Sequence, residues 1–112
     1  MDDNRGDGII AVNQDDRGLY QGNLVARNGG YGMRAEDSTV HIVQNTFVSN
    51  RLDGLRAEEN FSEVLPGWLI AGNLAFFNGG HGLNVVTPGI PDGGDNFAKL
   101  NGTSPQCVNV AC

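Results

Sequence analysis

Basic side chains are scarce in this sequence. Seven Lys and Arg stand against thirteen Asp and Glu, a formal net charge of −6 over 112 residues, and a surface of that sign does not track the phosphates of DNA or RNA. No nucleic-acid partner is expected. Long apolar runs are missing too: a stretch such as Trp68-Leu-Ile-Ala71 falls far short of the roughly 20 residues that cross a bilayer as a helix. No basic segment followed by an apolar one opens the chain. No membrane partner is expected, and Met1-Asp2-Asp3 reads as the start of a mature or trimmed, soluble polypeptide. Nor does any segment keep an apolar period near 3.6 residues, so little helix is expected.

Cysteines number two, Cys107 and Cys112, both close to the C-terminus. In a small chain such a pair suggests a terminal disulfide and an oxidising compartment; free or intermolecular thiols are the other reading. Five residues of extended chain would hold the two Cα atoms roughly 17 Å apart, against the about 4.4 to 6.8 Å of a disulfide. If the two pair with each other, a tight turn must lie between them.

What is abundant is glycine, 17 of 112 residues. It recurs at fixed places, the habit of a turn residue and not of a flexible linker. An asparagine followed five positions later by another occurs as Asn23 and Asn28, Asn45 and Asn50, Asn73 and Asn78, and Asn96 and Asn101, with steps of 22, 28 and 23 residues. A fixed internal period in this range marks a solenoid. A second marker runs in phase: Gly8-Ile-Ile-Ala, Gly32-Met-Arg-Ala, Gly54-Leu-Arg-Ala and Gly82-Leu-Asn-Val each open with glycine and then alternate, the pattern of a short strand with one face buried. Its inward columns are Ile9, Met33, Leu55, Leu83 and Ala11, Ala35, Ala57, Val85. A second strand points Tyr20, Ile42 and Ile70 inward, with Val40 and Trp68 deeper, and a third between the asparagines carries Val25, Phe47, Ala75 and Ala98.

Three short strands per repeat without helices fit a ribbon coiled on itself, each strand pairing in parallel with its equivalent about 4.8 Å away. The expected fold is all-β, a parallel β-helix of about four coils and roughly 15 to 20 Å tall. Residues 1–7 are read as a flexible start, 8–101 as the coils and 102–112 as a C-terminal cap. The asparagines then act inside the fold: each inward amide pairs with turn backbone and with the asparagine of the next coil. Left-handed corner conformations are expected at these asparagines and at the glycines after them, Gly29-Gly30 and Gly79-Gly80. Longer loops at 60–67 and 87–94 leave the stack and are where a site is sought.

The Gly-apolar-x-apolar and Asn-x-apolar-x-x-Asn patterns over residues 8 to 101 resemble the right-handed, single-stranded parallel β-helix repeat family, which includes pectate-lyase-like and alginate-epimerase-like carbohydrate proteins. The tail from Asp92-Gly-Gly-Asp-Asn96 through Gln106-Cys-Val-Asn-Val-Ala-Cys112 is similar to the closing coil of secreted bacterial members. The resemblance implies a right-handed winding, a secreted or cell-surface location and a polysaccharide or glycan partner; it does not fix a reaction. Gly80-His81-Gly82 matches a triplet of polygalacturonases, yet the repeat alone accounts for it, since His81 aligns with Tyr31 and Asp53. The family's Asn-Thr-Asp, Arg-Ile-Lys, Asp-Pro-His and Arg-x-Pro-x-x-Arg motifs are absent, and Asp15-Asp16 lies several coils from His81 in sequence.

Two outward sets remain. Arg34 stands over Arg56 and Glu36 over Glu58, with Asp37 and Glu59 at the next corner, and diagonal Arg–Glu pairs on one face offset the like-charge stacking. This reads as a solvated charge ladder; the functional alternatives are a glycan groove of Arg34, Glu36, Arg56, Glu58, Tyr31 and His81, or a calcium site at Asp37 and Glu59. No other cofactor is expected. The second set is apolar, Leu24, Thr46, Leu74, Phe97 and Ala26, Val48, Phe76, a strip that normally gets covered, by the C-terminal tail, another subunit or a partner. The adhesion-like tripeptide Arg5-Gly6-Asp7 is read as incidental. A short polar start leaves the first coil poorly capped, so the chain is expected either to end a longer β-helix or to meet a second copy there. The expected function is a non-catalytic structural or carbohydrate-associated module. The alternatives are a lyase, epimerase or hydrolase of acidic polysaccharide around His81, Arg34 and Arg56, or a self-associating solenoid.

Overall fold

The computed structural model describes residues 5–12, 18–37, 40–59 and 68–112. Its thirteen strands are β1 (Ile9–Val12), β2 (Leu19–Gln21), β3 (Leu24–Ala26), β4 (Met33–Glu36), β5 (His41–Val43), β6 (Thr46–Val48), β7 (Leu55–Glu58), β8 (Leu69–Ala71), β9 (Leu74–Phe76), β10 (Leu83–Val85), β11 (Asp92–Gly94), β12 (Phe97–Lys99) and β13 (Cys107–Val108). Each sheet takes every third strand: β1-β4-β7-β10-β13 in the first, β2-β5-β8-β11 in the second and β3-β6-β9-β12 in the third. All pairings are parallel, and no helix occurs among the described residues. This is the path of a β-solenoid.

Register follows the sequence columns. Met33 pairs with Leu55 and Leu55 with Leu83, Ala35 with Ala57 and Ala57 with Val85, while Val25, Phe47, Ala75 and Ala98 stack in the third sheet. These side chains, with Val40, Ile42, Trp68 and Ile70, form one buried core. The strand β11 has no apolar alternation to announce it. It joins β8 through a bulge between Asp92 and Gly94, and Ile90 just before it fills the core.

The glycine that precedes β1, β4, β7 and β10, Gly8, Gly32, Gly54 or Gly82, sits where coils touch. A Cβ built on Gly54 would lie 2.6 Å from the Gly82 carbonyl oxygen, 2.9 Å from Asn78 Nδ2 and 2.9 Å from Phe47 Cβ, so only a hydrogen fits. Corner conformation differs from the sequence expectation. The left-handed residue is the one before each asparagine: Gly22, Gln44, Gly72 and Asp95 in one column, Arg27, Ser49, Phe77 and Leu100 in the other. The ladder asparagines and the Gly29-Gly30 and Gly79-Gly80 pairs stay out of the left-handed region, because a left-handed residue turns the chain and lets the next side chain enter the stack as a regular amide.

The two asparagine columns are continuous hydrogen-bonded ladders. Asn73 Oδ1 accepts from Asn45 N (3.0 Å) and Nδ2 (3.2 Å), and Asn73 Nδ2 donates to Ile42 O (2.8 Å) and Asn96 Oδ1 (3.2 Å). The same pattern joins Asn23 to Asn45, Asn28 to Asn50, Asn50 to Asn78 and Asn78 to Asn101. At the last coil the acceptors change. Gln106 Oε1 takes the Asn101 N and Nδ2, both at 2.8 Å, and Asp92 Oδ1 takes the Asn96 Nδ2 at 3.1 Å. Cys107 and Cys112 are joined, Cα atoms 6.3 Å apart, through a turn with Asn109 in the left-handed region; β13 is a two-residue strand before that turn.

The C-terminal lock carries a pH dependence. The Ala111 N–H, bound to Asp92 Oδ2 at 2.8 Å, is the main cause holding the Asp92 carboxyl below the ordinary aspartate value of 3.8; partial burial opposes it, and Gly94 N–H and the Asn96 amide add to the lowering. A depressed folded value means stabilisation that is full above the unfolded value and lost as pH falls through the folded one. The Ala111 amide resonance is therefore expected to stay constant from pH 7 to about 5 and to shift at more acid pH, and Asp92→Asn should abolish that titration. An Ala111 amide that ignores the carboxylate would contradict the lock.

Candidate functional site

The outer face of the first sheet gathers the polar side chains singled out from the sequence. Register places Ile10, Arg34, Arg56 and Asn84 in one column and Glu36 and Glu58 in another. Arg56 Nη1 reaches diagonally to Glu36 Oε1 at 2.9 Å and its Nη2 to Glu58 Oε2 at 2.6 Å. Arg34 Nε holds Asp7 Oδ2 at 3.0 Å, with its Nη1 3.6 Å from Glu36. The result is an alternating chain of charge, Asp7–Arg34–Glu36–Arg56–Glu58. Arg56 also lies over the Tyr31 ring, 5.8 Å from its centroid, a cation–π distance.

The corner before this face follows a two-coil alternation. Asp7 Oδ1 accepts the Tyr31 N–H at 2.8 Å while its Oδ2 takes Arg34; Asp53 Oδ1 accepts the His81 N–H at 2.7 Å while its Oδ2 takes Asn84 Nδ2 at 3.0 Å. Each aspartate folds over the glycine pair of the next coil, and a Cβ on Gly30 or Gly80 would collide with its carboxylate. The Gly-Gly pairs are thus demanded by a close approach, not by a left-handed turn. Asp7, Asp53, Asn84 and Gln106 were not among the expected site residues. The signal was present in Arg5-Gly-Asp-Gly8 and Arg51-Leu-Asp-Gly54 alternating with Gly29-Gly-Tyr-Gly32 and Gly79-Gly-His-Gly82. Residues 5–7, read as flexible, stack on the next corner, with Gly30 N donating to Gly6 O at 3.1 Å. That stacking also engages the carboxylate of the adhesion-like tripeptide.

His81 Nδ1 lies 2.7 Å from Pro105 O. A carbonyl only accepts, so this nitrogen carries the hydrogen and is committed to the C-terminal tail. Of the calcium candidates, Asp37 is a left-handed corner residue and Glu59 is 4% exposed. Glu59 Oε2 accepts the Trp68 indole N–H at 3.2 Å, while Oε1 has no hydrogen-bond partner among the described residues. Glu59 and Trp68 flank the 60–67 loop, which lies outside the described residues, as do Asp15 and Asp16. Among the described residues no three His, Cys, Asp or Glu side chains converge and no cavity opens.

The apolar strip lies on the outer face of the third sheet, with Leu24, Thr46, Leu74 and Phe97 in register in one column. Leu24 is 61% and Phe97 45% exposed; Ala26, placed outward by parity, is only 6% exposed. Phe76 and Phe97 rings are tilted against each other with centroids 5.9 Å apart. The tail, 102–112, adds β13 to the edge of the first sheet beside β10 and leaves this strip open. No protein-family model, curated protein or solved structure matches the chain.

Proposed function

We propose that this chain is a non-catalytic, right-handed parallel β-helix module of about four coils with its cap at 102–112, belonging to a secreted or cell-surface bacterial protein of pectate-lyase-like architecture, and that it presents the outer face of the first sheet to a glycan. The observation that carries the reading is the ion-pairing of both arginines of this face. Arg34 and Arg56 are bound to Asp7, Glu36 and Glu58, and are thus already engaged, while His81, tied through its main chain to Asp53 and through Nδ1–H to Pro105, keeps Nε2 alone as a base. A general base needs a free nitrogen or oxygen aimed at substrate beside a second group that stabilises charge. What this face offers instead is a pre-set array of paired charged side chains repeating from coil to coil, with Arg56 over the Tyr31 ring, whose remaining donor and acceptor positions suit the hydroxyls and carboxylates of a polysaccharide.

The test is a glycan array of neutral and acidic polysaccharides run beside an assay for unsaturated-sugar absorbance. Binding without product is expected, abolished by Arg56→Ala and retained, with the fold, in His81→Ala. Product formation that disappears in His81→Ala would overturn the reading in favour of a lyase. The open apolar strip favours a second reading, self-association.

A further inference from the structure

We propose that the outer face of the third sheet is a self-association surface that pairs two copies of this chain side by side with their solenoid axes parallel. Leu24, Leu74 and Phe97 lie exposed on this face, and Phe77 and Leu100 on the corner that follows it. Strands β3, β6, β9 and β12 contribute no carboxylate, although the chain carries a net charge of −6. Two copies of an acidic protein repel over most of their surfaces, and a face free of acidic groups is where they approach at least electrostatic cost. Parallel face-to-face sheets then bury the apolar columns.

Charge fixes the orientation. A twofold axis along the stacking direction lays each strand antiparallel to its own copy, so that Thr46 faces Val48, Leu74 faces Phe76 and Phe97 faces Lys99. Lys99 thereby meets the ring of Phe97 in the second copy, and beside it Asp95, the exposed left-handed corner residue that precedes the ladder Asn96. Neither Lys99 nor Asp95 has an ion-pair partner among the described residues. The reverse orientation sets Lys99 over Ala26, in a strand without a carboxylate. Four strands of three residues offer a face well below the roughly 800 Å² per partner of a stable interface, so the dimer is weak and concentration-dependent. It does not depend on the glycan reading, which uses another sheet.

Sedimentation equilibrium with the full chain, from about 10 μM to 1 mM, tests it, with circular dichroism as the check on folding. The average mass is expected to rise from monomer toward dimer. Leu74→Asp should hold it at the monomer. Lys99→Glu and Asp95→Lys should each weaken association about tenfold, since each pair occurs twice, and the double charge swap should restore it. A monomeric mass at every concentration, association indifferent to Leu74→Asp, or a double swap no better than the singles would overturn the proposal.

Discussion

Asn73→Ala is expected to destabilise the fold by about 3 to 5 kcal/mol, more than any single apolar truncation of similar size on the surface. Asn73 is fully buried and holds both coils beside it. Its loss leaves the Asn45 N–H and Nδ2 without their shared acceptor, and strips a donor from Ile42 O and from Asn96 Oδ1. Each buried polar group orphaned in this way costs about 1 to 3 kcal/mol, and the alanine offers no replacement. Thermal unfolding is expected to shift down by more than about 10 °C. Asn73→Asp should fare nearly as badly despite its shape, because a carboxylate keeps the acceptor and loses both donors. A melting point within about 2 °C of the parent chain would show that the ladder is decoration.

Gly80→Ala should cost about 2 to 4 kcal/mol although alanine accepts the backbone conformation there. The new methyl collides with Asp53 Oδ1, and the carboxylate can leave only by giving up the His81 N–H and Asn84 Nδ2. Asp53→Ala removes those same bonds by another route. The double variant Gly80→Ala/Asp53→Ala is therefore expected to be less damaged than the sum of the singles, with a coupling of about 1 to 2 kcal/mol. Strict additivity in chemical denaturation would mean that the glycine and the aspartate do not share this corner.

Much of the fold was legible because the repeat is written in residues that the stacking itself demands. Gly32, Gly54 and Gly82 mark the places where coils touch, Asn23 through Asn101 mark the ladders, and alternation around Met33, Leu55 and Leu83 marks the buried face. What escaped lacked one of these signatures. Strand β11 is Asp-Gly-Gly, held by its neighbour β8 and by Ile90 behind it, with no alternation of its own. The left-handed corners fall on Arg27, Gln44, Ser49 and Leu100, side chains that carry no preference for that conformation and adopt it because the ladder on the following residue outweighs the roughly 1 to 2 kcal/mol it costs. Reading Asn and Gly-Gly as the left-handed residues followed the local propensity and missed that tertiary override.

The outward charged columns of the first sheet were legible, and the corner residues that close them were not. The Arg34, Glu36, Arg56 and Glu58 columns were readable from parity, since a strand on a regular stack repeats its outward residues in line. Their closure by Asp7 was hidden, because the aspartate comes from the corner of the preceding coil and the Asp–Tyr–Asp–His alternation has a period of two coils. The same holds for Gln106, whose amide ends a ladder from the tail with no asparagine to give it away.

Amide hydrogen exchange at Asn45, Asn50, Asn73 and Asn78 tests most directly the claim that the asparagines are the spine of the solenoid. These four N–H groups lie in turns outside the strand ladders, and each donates to the Oδ1 of the next asparagine at 3.0 Å or less. They are expected to exchange as slowly as the amides of Leu55 and Leu83 in the core, only through global unfolding. Exchange at the rate of ordinary exposed turn amides would contradict the account.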